Sequence, residues 1–340
     1  MRACLVTPAA PGSYHGNRVT AERWAGILTG LGHRVDVAED YHGQAADLLV
    51  ALHAGKSGGS VRRFRDRYPD RPAVLALTGT DLYPELATSG AAGEVLDLAD
   101  RFVVLQPLAV DQLPPRLRGR ARVIYQSVTP PRGDGEPRHR RSFDAVLLAH
   151  LRPVKDPLLA AAAARLLPED SPVRIRHAGA VIDRDLADEA ERESRVNPRY
   201  EWLGEMPWPA SFRLLAASKV LLVTSRHEGG ANVVSEALAA GVPVIGTRIA
   251  GTVGLLGDGY PGYFPAGDAA ALAALLVRAQ RDEAGLYVGL RRRCGRLRPL
   301  TDPARERAAW QSLLAELTGS PDTGRPPGRS APRAGPAKPE

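Results

Sequence analysis

The sequence predicts an α/β protein built from two doubly wound domains. Short apolar runs alternate with helical patterns, which is the βαβ rhythm of a parallel sheet. This rhythm occurs twice, on either side of a segment rich in proline, glycine and arginine at residues 129–142. The length of 340 residues also suits two domains of roughly 150 residues each.

The first half carries six apolar runs that we predict to be strands. Between the first two, a helical pattern over Thr20–Leu31 ends at Gly32. The predicted strands are Cys4–Thr7, Val35–Ala38, Leu48–Leu52, Val74–Leu77, Phe102–Leu105 and Val123–Tyr125. We therefore assign residues 1–128 to an N-terminal domain and residues 129–142 to an exposed linker.

The second half repeats the alternation and defines a C-terminal domain at residues 143–300. Its predicted strands are Ala145–Leu148, Arg174–His177, Tyr200–Leu203, Val220–Thr224 and Val242–Gly246, and its helices are Pro157–Leu167, Leu186–Arg195, Ser211–Ala217 and Ala231–Ala240. A further helix is predicted over residues 301–318, since Asp302 and Pro303 form a typical helix start. Residues 319–340 are too rich in Pro, Gly and Arg to bury a core, so we predict a disordered tail.

Composition and charge narrow the classes of function. The net charge is +7, but the basic residues are scattered and aromatic residues make up only 5%, which argues against nucleic-acid binding and favours small anionic ligands. Cys4 and Cys294 are too few for a disulfide framework. No apolar run approaches the length of a membrane span, and the N-terminal run is too short for a signal-peptide core. We expect a cytoplasmic protein without stable membrane association.

The stretch SRHEGGANVVSEALAAGVPVIGT, residues 225–247, predicts a ligand site. It follows a continuous apolar strand, at the edge of the sheet where ligands bind in open α/β folds. Gly229 and Gly230 let the backbone approach a ligand, and the next helix points its N-terminus at the same spot, which suits a diphosphate. Glu236 lies one turn after Asn232, where a carboxylate can bind the two hydroxyls of a ribose. The alternative is that Glu228 is an ordinary loop residue and Glu236 a solvated helix residue.

These residues also carry a resemblance to a known family. The segment from Glu228 to Glu236 resembles the E-x7-E element of retaining glycosyltransferases of the GT-B architecture, family 4. Upstream, LLAHLRPVKDPLLAAAAARLL and EWLGEMPWPASFRLLAASKVLLVTS are similar to two further elements of that family. The resemblance implies two Rossmann-like domains that face a central cleft.

The resemblance also implies roles for individual residues. Arg152 and Lys155 would grip the diphosphate, and Glu228 would touch the donor sugar; these three form the expected catalytic set. The expected donor-binding residues are Gly204, Glu205 and Met206 at the nucleobase, Gly229, Gly230, Ala231, Asn232 and Val233 at the diphosphate, and Glu236 at the ribose. One departure is Gly254, which stands where many family members have a glutamate.

A narrower resemblance covers residues 1–317. The segments LVTPAAPGSYHGNRVTAERWA, LLVALHAGKS, LALTGTDLY, HLRPVKDP and HEGGANVVSEALAAGVPV are similar to the selenosugar synthases of selenoneine biosynthesis. That resemblance implies a UDP-sugar donor, UDP-N-acetylglucosamine or a similar one, and selenophosphate as acceptor. The residues alone do not separate selenophosphate from thiophosphate, phosphate or a phosphorylated sugar.

The acceptor is expected at the strand ends of the first domain, which are polar. A helix begins there with Arg18, our candidate for holding the phosphoryl group, and Lys56 is a second candidate cation. The full set of expected acceptor-binding residues is Gly16, Asn17, Arg18, His53, Lys56, Thr80 and Asp81. For His53 an ordinary structural role is the alternative.

Other signals are assigned no role in catalysis. Asp183 and Asp185 have the D-x-D form of a metal site, but their position at a helix start favours capping. The eight histidines lack the spacing of metal ligands, so we expect neither a metal nor a cofactor. The four tryptophans are expected to pack in the core or between domains.

The alternative functions left open by the sequence are a glycosyltransferase with an alcohol or lipid acceptor, a sugar-nucleotide epimerase and a non-catalytic nucleotide-sugar binder. The donor sugar and the oligomeric state are also open.

Overall fold

The computed structural model describes residues 1–13, 15–79, 81–85, 90–132 and 142–319. They form two six-stranded sheets in which every pair of neighbouring strands is parallel. The two-domain α/β prediction is confirmed. Parts of the predicted linker and tail, residues 133–141 and 320–340, lie outside the described residues.

The first sheet has the strand order β2-β1-β3-β4-β5-β6. Its strands are β1 Arg2–Val6, β2 Arg34–Ala38, β3 Leu48–Leu52, β4 Ala73–Leu77, β5 Arg101–Val104 and β6 Ala121–Val123. The helices in this half are α1 Gly16–Gly30, α2 Ala54–Arg67, α3 Gly90–Leu98 and α4 Pro115–Arg118. The order reverses beside β1, so the loops after β1 and β3 flank the switch point where ligands bind in such sheets.

The second sheet has the order β12-β11-β10-β7-β8-β9. Its strands are β7 Phe143–Leu148, β8 Val173–Ala178, β9 Tyr200–Trp202, β10 Val220–Val223, β11 Val244–Thr247 and β12 Tyr263–Phe264. The helices are α5 Leu159–Arg165, α6 Arg184–Val196, α7 Trp208–Ala217, α8 Asn232–Ala240, α9 Ala250–Leu256, α10 Ala269–Gln280 and α11 Leu286–Leu297. Here the switch point lies between β7 and β10, and the loops after these strands carry Lys155 and Glu228.

The last helix, α12 (Pro303–Gly319), returns to the first sheet. Its Trp310, Leu313 and Leu314 are buried in one cluster with Trp24 and Leu28 of α1. The two tryptophan rings meet edge to face with centroids 4.9 Å apart, a favourable geometry for aromatic pairs. The C-terminal helix therefore packs against the N-terminal half.

Most predicted elements are present, with shifted ends. The sixth strand is Ala121–Val123 instead of Val123–Tyr125, because its pairing with β5 begins at Ala121 opposite Phe102. The short strand β12 was not predicted. Asp183 caps α6, as expected from its position, by accepting a hydrogen bond from the Leu186 N–H at 3.2 Å.

Candidate functional site

A cavity of about 460 Å³ lies between the carboxyl edges of the two sheets, with lining residues from both halves. It brings together most of the residues singled out from the sequence. Those in its wall are Gly16, Asn17, His53, Lys56, Arg152, Lys155, Glu205, Met206, Glu228, Gly230, Ala231, Asn232, Val233 and Glu236. Gly204, with φ of 73°, forms the turn just before Glu205 and lies outside the wall. Thr80 lies outside the described residues.

Lys155 and Glu228 form an ion pair inside this cavity. Lys155 follows β7 and Glu228 follows β10, so the two neighbouring strands bring the charges together. The Ser225 hydroxyl also donates to Glu228 Oε1 at 2.7 Å. The carboxylate is thus held by two partners, and a bound diphosphate would compete with it for the Lys155 ammonium.

Arg152 supplies a second cation on the same wall. Its Nε is buried and has no hydrogen-bond partner among the described residues. A buried N–H without a partner costs free energy that an anionic ligand would recover. Arg152 and Lys155 together can neutralise much of a diphosphate.

Glu236 is 8% exposed and accepts a hydrogen bond from the Trp208 indole N–H at 3.0 Å. Burial raises the pKa of this carboxyl, while the bond from Trp208 and the charge of Arg23 act in the opposite direction. Trp208 lines the cavity and also packs against Phe212, with ring centroids 5.6 Å apart. Its position at the start of α7, directly after the Gly204–Met206 loop, was the sequence signal for this role.

Two histidines face each other across the cleft, and the sequence did not single out either one. The rings of His15 and His150 meet edge to face with centroids 5.6 Å apart. His150 Nδ1 accepts the Ala180 N–H at 3.1 Å, so in the neutral ring the proton is on Nε2. His150 comes shortly after the end of β7, at the ligand-binding edge of the sheet, and that placement could have identified it.

In the half of the cavity wall formed by the first domain lie Asn17, His53 and Lys56. Asn17 Oδ1 accepts a hydrogen bond from the Thr78 hydroxyl at 2.7 Å. His53 has a positive φ of 73° and precedes α2, where its Nδ1 accepts the Lys56 N–H at 3.3 Å. A left-handed backbone at a bulky residue stores strain and is often associated with functional sites.

Asp81 does not line the cavity, contrary to the expectation that it binds the acceptor. Its side chain is fully buried and accepts the backbone N–H groups of Ala54 at 3.1 Å and Gly79 at 2.7 Å. Burial raises the pKa of its carboxyl, and the charge of His53 lowers it. Asp81 therefore anchors the start of α2 and the loop after β4 beneath the site.

Arg18 is also absent from the cavity wall, although the sequence placed it facing the cleft. Its Nε binds Glu22 Oε1 one turn further along α1, at 2.7 Å. The pairing at i and i+4 holds the guanidinium along the helix. Lys56, the second candidate, is the cation that the first domain presents to the cavity.

The Gly229-Gly230 pair faces the first domain. A Cβ atom on Gly229 would lie 2.6 Å from the carbonyl carbon of Thr78, and one on Gly230 would lie 2.5 Å from the Leu105 Cβ. Gly254 leaves room for the side chain of Gln106: a Cβ there would lie 1.8 Å from its Oε1. These glycines let the two domains approach each other, and Gly230 also lies in the cavity wall, whereas Gly229 does not.

Neither a metal site nor a membrane span is found within the described ranges. No three His, Cys, Asp or Glu side chains come together there as a group that could hold a metal ion. None of the described helices combines the length and the apolarity that crossing a bilayer requires.

One family model matches part of the second domain. Residues 145–282 match the family model described as glycosyl transferases group 1. This match covers less than half of the chain, and it includes Arg152, Lys155, Glu228 and Glu236. No curated protein matches the sequence.

Solved structures with the same fold span nearly the whole chain. HepE of Anabaena in complex with UDP superposes with a TM-score of 0.72 at 15% identity, covering 93% of this chain and 99% of HepE. The sucrose-phosphate synthase of Thermosynechococcus elongatus superposes with a TM-score of 0.72 at 16% identity, covering 93% of this chain and 98% of the synthase. The pneumococcal O-GlcNAc transferase GtfA, in complex with UDP and GlcNAc, gives 0.62 at 16% identity, with 80% of this chain and 57% of GtfA covered. These likenesses confirm the GT-B architecture.

Proposed function

We propose that this protein transfers a sugar from a UDP-sugar, with UDP-N-acetylglucosamine as the first donor to test, to the selenium of selenophosphate. The observation that carries the proposal is a cavity whose walls come from both domains. One wall presents Lys155, Glu228 and Glu236, and the other presents Asn17 and Lys56. A site with a donor wall and an acceptor wall suits group transfer between two small molecules.

The donor wall has the chemistry that a UDP-sugar requires. Glu236 can accept hydrogen bonds from the ribose hydroxyls, and Glu205 and Met206 lie where the nucleobase would enter. The N-terminus of α8, with Arg152 and Lys155 nearby, suits the diphosphate. The family match over residues 145–282 supports this arrangement, as do the structures of HepE solved with UDP and with UDP-glucose.

The acceptor wall favours a small anion. Lys56 supplies the positive charge, and Asn17 and His53 add polar contacts. A cavity of about 460 Å³ lies in the lower part of the range for small-molecule sites, which favours a compact acceptor over a large one. The similarity of residues 1–317 to selenosugar synthases selects selenophosphate among such anions.

The proposed reaction forms one bond and breaks one. A selenium lone pair attacks the anomeric carbon, and the carbon–oxygen bond to UDP breaks with its electron pair moving to the diphosphate. Arg152 and Lys155 stabilise the charge that develops on the leaving group. When Lys155 turns to the diphosphate, the Glu228 carboxylate is freed to face the positive charge that develops at the sugar. Selenophosphate carries its charge already, so no proton has to be removed from the acceptor.

Transfer to a hydroxyl is the second candidate, and the histidines in the cavity favour it. His15, His53 and His150 all lie in the wall, and an alcohol acceptor needs a base of this kind as the new bond forms. The two candidates differ in the acceptor and share the donor.

The test is an assay of the purified protein with a panel of UDP-sugars. Each is supplied alone, with selenophosphate and with hydroxyl acceptors, in the presence of magnesium or EDTA. UDP release and the masses of the products are measured. We expect release that depends on selenophosphate, a product with the isotope pattern of selenium, and no loss of rate in EDTA. As a control, Glu189→Gln on the exposed face of α6 should behave like the wild type.

Three outcomes would overturn the proposal. Release with hydroxyl acceptors but not with selenophosphate would favour the conventional transferase. A changed sugar nucleotide formed without any acceptor would indicate an epimerase. Binding of UDP-sugars without turnover under every condition would indicate a nucleotide-sugar binder.

A further inference from the structure

Arg23 on α1 connects three separate segments of the chain. Its Nε donates to the two carboxylate oxygens of Glu306 on α12 at 3.2 and 3.1 Å. Its Nη1 donates to Asn232 Oδ1 at 3.3 Å, and its Nη2 to Gln126 Oε1 at 3.1 Å. The side chain is only 19% exposed. A guanidinium has the fixed fork of donors that such multiple contacts require.

Glu306 fixes the position of Arg23. Its side chain is fully buried, and it also accepts the Trp24 indole N–H at 2.8 Å and the Ser127 N–H at 2.9 Å. The Ser127 hydroxyl donates to the same carboxylate. A carboxylate with this many partners is held rigidly, so the guanidinium bound to it has little freedom to move.

On its other side, Arg23 reaches the start of the donor helix. Asn232 is the first residue of α8 and lies one turn before Glu236. Its amide also donates to Gly16 O and Thr20 Oγ1, both at 3.4 Å, on α1. Nearby, Gln126 Nε2 donates to Gly230 O at 2.7 Å. The first half of the chain therefore holds the segment between Glu228 and Glu236 through hydrogen bonds.

We propose that Arg23 is a positioning residue for the nucleotide donor: from the acceptor-side domain it sets the N-terminus of α8 and the carboxylate of Glu236. This inference rests on the proposed function, because it takes UDP to be the ligand of the cavity. Donor binding then depends on α1 and α12, although Arg23 and Glu306, the charged members of the network on these helices, need not touch the nucleotide. Arg23 itself is not part of the cavity wall.

The electrostatics of Glu236 separate this role from simple interdomain packing. Among the described residues, two groups lower the pKa of Glu236 against burial: Trp208 on α7, through its hydrogen bond, and Arg23 on α1, through its charge. Removing the charge of Arg23 should let Glu236 protonate at a higher pH. A residue that only joins two domains would not shift this titration.

The experiment is calorimetric titration of UDP across the acid pH range with wild type, Arg23→Lys and Arg23→Gln. We expect Arg23→Gln to lower UDP affinity about 3- to 30-fold. We also expect the acid limb of the pH profile, where UDP affinity falls as the pH is lowered, to move to higher pH. Arg23→Lys keeps the charge but cannot bind three partners at once, so it should lose affinity while the acid limb stays in place. The terminal phosphate of UDP titrates equally in all three proteins, which makes the difference between them the readout.

Arg307→Gln is the matched control. Arg307 lies on the exposed side of α12 and donates to Gly30 O at 2.7 Å, so it joins the same two helices away from the cavity. We expect wild-type affinity and an unshifted acid limb. Thermal unfolding of every variant shows whether a loss of binding reflects a loss of fold.

A double-mutant cycle with Asn232→Ala tests the route of the effect. If Arg23 acts through Asn232, the two losses in affinity should not add. Full additivity, wild-type affinity in Arg23→Gln, or reduced affinity with an unshifted acid limb would each overturn the inference while leaving the proposed function intact. A wild-type protein that binds no UDP would overturn the proposed function, and this inference with it.

Discussion

Glu236 owes its properties to residues that are distant in the sequence. Trp208 comes 28 positions earlier and Arg23 lies in the other half of the chain, yet both act on its carboxyl. Burial opposes ionisation, so the negative charge that a ribose would meet depends on these two neighbours. Glu236 is a buried residue of the cavity wall, and its 8% exposure does not fit the alternative of a solvated helix residue.

We predict that Glu236→Ala weakens UDP binding. Losing charge-assisted hydrogen bonds costs about 1.5–3 kcal/mol, or roughly 10- to 150-fold in affinity. Because burial raises the pKa of Glu236, wild-type binding should also begin to weaken, as pH falls, at a higher pH than an exposed glutamate would give. Calorimetry measures both effects, with Glu189→Gln as control. Equal affinity in Glu236→Ala and wild type would exclude Glu236 from the donor site.

Residue types and spacing revealed part of the site. Glu228 and Glu236 were predictable because the loop and helix that carry them are contiguous in sequence. Arg18 and Arg23 were not distinguishable in this way, since both lie on α1. Five residues advance a helix by about 140° beyond one full turn, so Arg23 points toward the second domain when Arg18 pairs along its own helix. That rotation follows from tertiary packing, which the sequence pattern does not give.

The loop that contains Gly229 and Gly230 shows, at the scale of elements, how the domains meet. The backbone of this loop packs directly on Thr78 and Leu105 of the first half. A side chain at Gly229 would collide with main-chain atoms, which cannot rotate away as a flexible side chain would. The close approach of the two walls of the cavity thus depends on the absence of a Cβ atom.

We predict that Gly229→Ala holds the cleft partly open. The turnover rate should fall by at least about tenfold, because a misplacement of about 1 Å between reacting groups is enough for such a loss. Small-angle scattering in the presence of UDP should give a larger radius of gyration than for wild type. Gly289→Ala on α11, where a Cβ has nothing within 4 Å, is the control and should match wild type in both measurements. Wild-type turnover in Gly229→Ala would contradict this account of the loop.

The strands themselves were predictable because parallel strands buried on both faces appear as continuous apolar runs, as in Leu48–Leu52. The ends of the strands were less predictable from the sequence, since pairing with a neighbouring strand decides where a strand begins. The run Val123–Tyr125 continues past the strand, whose register with β5 starts at Ala121. The strand β12 has only two residues and gives no periodicity to detect.

At the scale of the whole molecule, the strand orders and the return of α12 place the site. Alternating patterns indicate a parallel sheet but not which strands are neighbours, so the switch points beside β1 and between β7 and β10 emerge only in the structure. The start signal at Asp302 and Pro303 predicted the helix α12 without indicating that Trp310 packs on Trp24. That contact brings Glu306 to Arg23, which in turn reaches Asn232 at the start of α8.

The proposed function requires selenium to become bonded to the anomeric carbon of the donor sugar in this cleft. The most direct measurement is nuclear magnetic resonance of the product formed from UDP-N-acetylglucosamine labelled with carbon-13 at the anomeric position and selenophosphate labelled with selenium-77. We expect a one-bond carbon–selenium coupling at the anomeric carbon, which is absent when Glu228→Gln and Lys155→Met are combined. An anomeric carbon bonded to oxygen in every product, with no selenium coupling, would contradict it.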